Sequence, residues 1–146
     1  MDFCDQMMIV EESNKSVFDK FGEMEYKHRW VKLQNILLFD HDYTINVTAQ
    51  AYSGKDVTAA QSKSYTLFMN NEKKYLSLIE NQISSFIKKN VSDTYTDISN
   101  MVTPKTLMIK QNGDTVMLLD CVWDQEHGIG VSIIPKVSIG SQDIFL

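Results

Sequence analysis

Within six consecutive residues, Trp123-Asp124-Gln125-Glu126-His127-Gly128, the chain gathers two carboxylates, an imidazole and an amphipathic aromatic ring. Such groups can share a divalent cation, act as general acid and base, or present a charged recognition surface. On the chemical reading, Asp124, Glu126 and His127 would serve a metal-assisted or acid–base hydrolase, with His28 or His41 brought near by the fold. Three neighbouring ligands on one turn fall short of a closed metal site, and no His-Glu-x-x-His pattern is present. The architectural reading uses every residue. Asp124 accepts from the N–H of Glu126 or His127 in an Asx-turn, Gly128 closes the loop in the left-handed conformation, and Trp123 anchors it. We therefore expect no catalytic set, no metal site and no cofactor. Trp123, Asp124, Glu126 and His127 are the binding candidates.

Other residue patterns carry less chemistry. The serines stand in no Gly-x-Ser-x-Gly elbow, and the chain has no glycine-rich phosphate loop of either common type. Cys4 and Cys121 have no second Cys or His at ligand spacing, which predicts free thiols, Cys121 buried and inert. The start Met1-Asp2-Phe3-Cys4-Asp5 lacks the positive charge of a signal peptide, and apolar runs such as Ile36-Leu37-Leu38-Phe39 are too short to span a bilayer, so a cytoplasmic, membrane-free protein is expected.

The net charge of −5 argues against nucleic acid as a partner. From Gln111 to Pro135 there is no Lys or Arg, whereas Asp114, Asp120, Asp124 and Glu126 all fall there, which reads as a solvated acidic edge or as a surface for a basic protein partner. At 146 residues the chain can bury a core without staples, and no repeat or Pro/Gly/Ser-rich linker divides it. The expected organisation is a loose lead-in over residues 1–17, packing only through Met7, Met8, Ile9 and Val10, and one α+β domain over 18–146.

The elements that must position the loop follow from periodicity. Val31 to Phe39 and Tyr43 to Ala51 read as two antiparallel strands turned at Asp40–Asp42, with Tyr43, Ile45, Val47, Ala49 and Ala51 on one face. Thr58-Ala59-Ala60-Gln61 fits a capping box. From there the stripe Gln61, Tyr65, Phe68, Tyr75, Ile79, Ile83, Phe86 keeps phase past Asn70-Asn71, which predicts one long helix to about Lys89, bent at the Asn pair. A helical turn at Asp97–Met101 precedes a strand at Lys105–Gln111, and Asn112-Gly113 predicts a tight two-residue type I′ hairpin. The strand Thr115–Trp123 is apolar on both faces and belongs in the middle of the sheet. The chain then turns through Asp124–Gly128 into Ile129–Ile134, stops at Pro135, and adds a short edge strand with Ile144-Phe145-Leu146 tucked in. The sum is an antiparallel sheet of about six strands with one long helix on one face. Its edges leave two oligomeric states open, monomer and homodimer.

Phe21-Gly22-Glu23-Met24-Glu25-Tyr26 with Trp30, Ala51-Tyr52, Thr58-x-x-Gln61 with Tyr65, Phe68 and Asn71, Cys121-x-Trp123-Asp124-x-Glu126-His127-Gly128-Ile129-Gly130-Val131, and Ile139-Gly140-x-x-Asp143 together resemble a family of uncharacterised bacterial domains. Its most specific piece is the C-terminal Trp-Asp-x-Glu-His-Gly-x-Gly-Val. This chain departs from that pattern at Ile133-Ile134-Pro135, where a polar residue is usual. No enzymatic activity or cofactor is established for the family it resembles. The resemblance implies a small protein-binding domain, similar in size and acidity to immunity proteins that neutralise a toxin.

Overall fold

The computed structural model describes residues 15–52, 55–91 and 97–146. The contacts expected of Met7 to Val10 lie outside these residues. Among the described residues eight strands form one sheet in sequential order, β1 (Lys15–Phe18), β2 (Gly22–Tyr26), β3 (Trp30–Leu38), β4 (His41–Ala49), β5 (Val102–Ile109), β6 (Thr115–Cys121), β7 (Ile129–Ile134) and β8 (Ser138–Ser141). Two antiparallel meanders, β1 to β4 and β5 to β8, meet at one parallel pair, with Asn46, Val47, Thr48 and Ala49 in register with Thr106, Leu107, Met108 and Ile109. Between them run α1 (Ala59–Asn70) and α2 (Glu72–Asn90).

This corrects the expected six-stranded antiparallel sheet with one long helix in three respects. The crossover through α1 and α2 is long enough to return the chain in the same direction, which only a parallel neighbour can use. Two strands were hidden because β1 and β2 are only four and five residues long, too short for a period of two to stand out. β1 takes in Lys15, Ser16 and Val17 from the expected lead-in. The helix is cut in two by Asn71, whose backbone N–H donates to Phe68 O at 3.1 Å and whose side chain takes the Leu67 carbonyl at 3.0 Å. Its φ of −131° leaves the helical region, and α2 restarts one residue later with the apolar stripe still in phase.

Helix α1 begins as its cap predicts. The Thr58 hydroxyl accepts from the Gln61 N–H at 3.1 Å, and Gln61 Oε1 accepts from the Thr58 N–H at 2.8 Å. Gln61 is fully buried, and its amide also donates to the carbonyls of Gln50 and Ile109, at 2.7 and 3.1 Å, tying the helix start to the ends of β4 and β5. Tyr65 and Phe68 of α1 and Leu76, Ile79, Ile83 and Ile87 of α2 bury against Ile45, Val47, Leu107, Ile109, Met117, Leu119 and Val131 of the sheet. Each such side chain withdrawn from water contributes roughly 1.5–3 kcal/mol.

Turn details also differ. The β3–β4 turn is Phe39-Asp40, with φ of 50° and 62°, one step ahead of Asp40–Asp42. The β5–β6 connection is a three-residue loop. Lys110 N–H donates to Asp114 O and Gly113 N–H to Lys110 O, both at 2.8 Å, and only Gly113, at φ 96°, is left-handed. Asn112 instead accepts from the Asp114 N–H at 2.9 Å. Thr115–Cys121 is an interior strand, flanked by β5 and β7. On the sheet face away from the helices, the cross-strand row Thr48, Met108 and Val116 is buried, and the Thr48 hydroxyl has no partner among the described residues. At the C-terminus Ile144 and Leu146 are exposed rather than tucked in, and Phe145 alone is half-buried, over Gly130.

Candidate functional site

β6 ends at Cys121 and β7 starts at Ile129, so the chemistry-bearing residues form the connection between two interior strands. Asp124 closes it. Its carbonyl accepts from the Gly128 N–H at 2.9 Å, and its Oδ1 accepts from the His127 N–H at 3.2 Å. The same Oδ1 lies 3.1 Å from His127 Nδ1, so the imidazole sits against the carboxylate when Nδ1 carries its proton. Gly128 has φ 67°, and a Cβ there would come within 2.7 Å of Leu119 O and run into the Gln142 amide, which itself donates to Leu119 O at 2.9 Å. Trp123 stacks on Phe86 of α2, with ring centroids 6.0 Å apart.

The far side of the imidazole faces a second carboxylate, with His127 Nε2 and Asp143 Oδ2 3.8 Å apart. All three side chains are well exposed, so each contact, an ion pair only when the imidazole is protonated, contributes no more than about 1 kcal/mol. Beneath the loop, the Cys121 thiol donates to Asp124 O at 3.5 Å. Burial pushes its pKa up, and the charges of Asp124 and Asp120 push the same way, against the lowering effect of its hydrogen bonds to the backbone. A thiol held neutral is a poor nucleophile, in line with the inert cysteine expected from the sequence.

Residues 20–146 match the model of a domain family described as Domain of unknown function (DUF6985). The chain belongs to this family. No curated protein and no solved structure matches it. No helix of the described residues is long and apolar enough to cross a membrane.

In this DUF6985 domain the four expected binding residues separate into two groups. Asp124 and His127 are spent on each other and on loop closure, and Trp123 is half-buried on α2, whereas Glu126 is exposed with no hydrogen bond or ion pair among the described residues. His28 is not brought near. It precedes β3, whose Trp30 pairs with Ala49 at the strand ends opposite Cys121. His41 instead sets its ring against Tyr43. Among the described residues no three His, Cys, Asp or Glu side chains converge to hold a metal ion. The cavity beside the loop, about 350 Å³, is lined by Asn100, Met101, Thr103, Asp120, Cys121, Val122 and Gln125, and by none of Asp124, Glu126 and His127.

Two further participants, Gln142 and Asp143, brace the loop from beyond β8, and of these only Asp143 stands out in the sequence. The spacing Ile139-Gly140-x-x-Asp143 was its signal, but only strand pairing of Ile129 with Ser141 brings both to the loop.

Proposed function

We propose that this domain is a non-catalytic protein-binding module that offers its Trp123–Gly128 loop to a basic protein partner, in the manner of an immunity protein that neutralises a toxin. The observation that carries this reading is a loop with a fixed backbone and outward charge. Asp124, Gln142 and the Trp123–Phe86 stack hold its shape, while Glu126, Asp120 and Asp143 stand exposed around it. A surface held rigid before binding loses little entropy on association, and like charges on one rim steer an opposite partner. Lys105 is the one cation paired at this rim among the described residues, 3.9 Å from Asp120. The bacterial setting implied by the sequence resemblance, and a cytoplasmic location, complete the proposal.

The hydrolytic reading draws no comparable support, because Asp124 and His127 face each other within the loop and neither lines the cavity beside it. The test is co-expression with a toxin encoded beside the gene, together with affinity capture by the intact domain and by Glu126→Lys, a change that leaves every bracing contact in place. Protection and capture by the wild type, both weakened by Glu126→Lys and by salt, are the expected result. Protection that survives charge reversal would move the interface elsewhere, and absence of both protection and capture would refute the proposal.

A further inference from the structure

The parallel pair creates a second feature at the opposite end of the strands. Wherever β-strands are joined by hairpins, the connection seals the space between their ends. β4 and β5 instead finish side by side and diverge, β4 towards α1 and β5 into the loop to β6. Open sheets bind ligands in the crevice left at such carboxyl ends. Here an open crevice of about 560 Å³ lies between Gln50–Tyr52 on one wall, Lys110–Asn112 on the other, and His28–Arg29 from the β2–β3 turn.

Its walls are fixed. Among the described residues after β4, three carbonyls accept from side chains of three elements. Gln61 donates to Gln50 O at 2.7 Å, Tyr26 to Ala51 O at 3.1 Å and Trp30 to Lys55 O at 2.9 Å. The opposite wall is held by Thr58, whose hydroxyl donates to Gln111 O at 2.7 Å. His28 stands at φ 67°, a conformation that costs a non-glycine residue about 1 kcal/mol or more and that recurs at binding sites.

Its charge runs against that of the whole chain. Arg29 and Lys110 line the crevice of a protein of net charge −5, and among the described residues neither has a carboxylate within 4.0 Å. Asp56 and Asp114, the acidic residues of the adjoining loops, pair with neither. Two cations without a carboxylate partner among the described residues suit a group of about two negative charges, which a phosphate monoester carries and a single carboxylate does not. The volume exceeds that of a phosphoryl group alone. Tyr52, 74 % exposed on the wall, offers a ring face to the remainder.

We infer that the crevice at the carboxyl ends of β4 and β5 binds an organic phosphate monoester, its phosphoryl group between Arg29 and Lys110 and its organic part beside Tyr52. Titration of the full-length ¹⁵N-labelled protein with phenyl phosphate, inorganic phosphate and phenol tests this. Phenyl phosphate should give saturable shifts confined to amides of His28–Arg29, Gln50–Tyr52 and Lys110–Asn112. Inorganic phosphate should bind at least tenfold more weakly, phenol should shift nothing, and Arg29→Gln/Lys110→Gln should lower phenyl phosphate affinity at least tenfold with an unchanged melting temperature. Shifts that are linear in concentration and spread over surface lysines would overturn the site, as would equal binding by the double variant. If that variant melts early, the single changes Arg29→Lys and Tyr52→Ala decide instead: undiminished binding by both overturns the site. Equal affinity for inorganic phosphate would overturn the organic part.

Discussion

One oxygen of Asp124 holds His127 twice, by its backbone N–H at 3.2 Å and against its ring at 3.1 Å. Removing that oxygen should loosen the loop as a unit. Asp124→Ala is expected to cost about 1–2 kcal/mol, in the range of a lost cap, whereas Asp124→Asn keeps an acceptor and should cost less than half as much. Urea denaturation of the two variants checks the order, and equal losses would remove the hydrogen bond from the explanation.

Gly128 has neither the conformation nor the room for a side chain. With φ 67° and a Cβ position 2.7 Å from Leu119 O, Gly128→Ala should lose about 2–3 kcal/mol and shift the amide resonances of Gln142 and Asp143. A stability within ~0.5 kcal/mol of the wild type would contradict the packing of Gln142 over the loop.

Gln61 joins the helix start to both strands of the parallel pair. Gln61→Leu leaves the carbonyls of Gln50 and Ile109 without this donor and breaks the capping box, so a loss of about 2–4 kcal/mol is expected in thermal or chemical unfolding. Gln61→Glu should be worse, because it turns a donor into a carboxylate facing two carbonyl oxygens.

Thr48 should respond in the opposite sense. Its hydroxyl is buried and unpaired among the described residues, so Thr48→Val removes a desolvated polar atom at little change in shape and should stabilise the protein by up to ~1 kcal/mol. A destabilised variant would mean that the hydroxyl has a partner.

Cys121 sets a pH dependence. Its folded pKa is raised above that of the unfolded thiol, so the folded state holds the proton more tightly and its contribution is complete below the unfolded pKa of about 8.5. Stability should therefore fall as pH rises from there through the folded pKa. In a Cys4→Ser background, Cys121→Ala should flatten that fall, and alkylation of native Cys121 at pH 8 should be much slower than of the denatured chain.

Local chemistry was the legible part of the sequence. Thr58 and Gln61 announce a helix start because the cap needs only neighbours, and Ile45, Val47 and Ala49 announce a covered face because alternation is local too. Asn71 misled because a helix interrupted for one residue keeps its stripe in phase, so periodicity alone cannot register the cut. Direction was illegible as well: nothing in Val102–Ile109 states that its neighbour is β4 and that the two run in parallel. The loop at Asp124 was readable from its own residues, whereas Gln142 and Asp143 reach it only through strand pairing, and Arg29 and Lys110 line one crevice only because distant turns share one end of the sheet.

The meeting of two meanders at a single parallel seam also sets the order in which the chain can assemble. Every antiparallel neighbour in the sheet follows its partner closely, so each half can zip from its own hairpins. Pairing Thr48 with Met108 must close the longest loop in the fold, an entropic cost met only once α1 and α2 are ready to pack. Docking of the halves is thus the step expected to limit folding, and stopped-flow refolding should show core substitutions in α1 or α2 slowing folding more than equal losses in the outer hairpins.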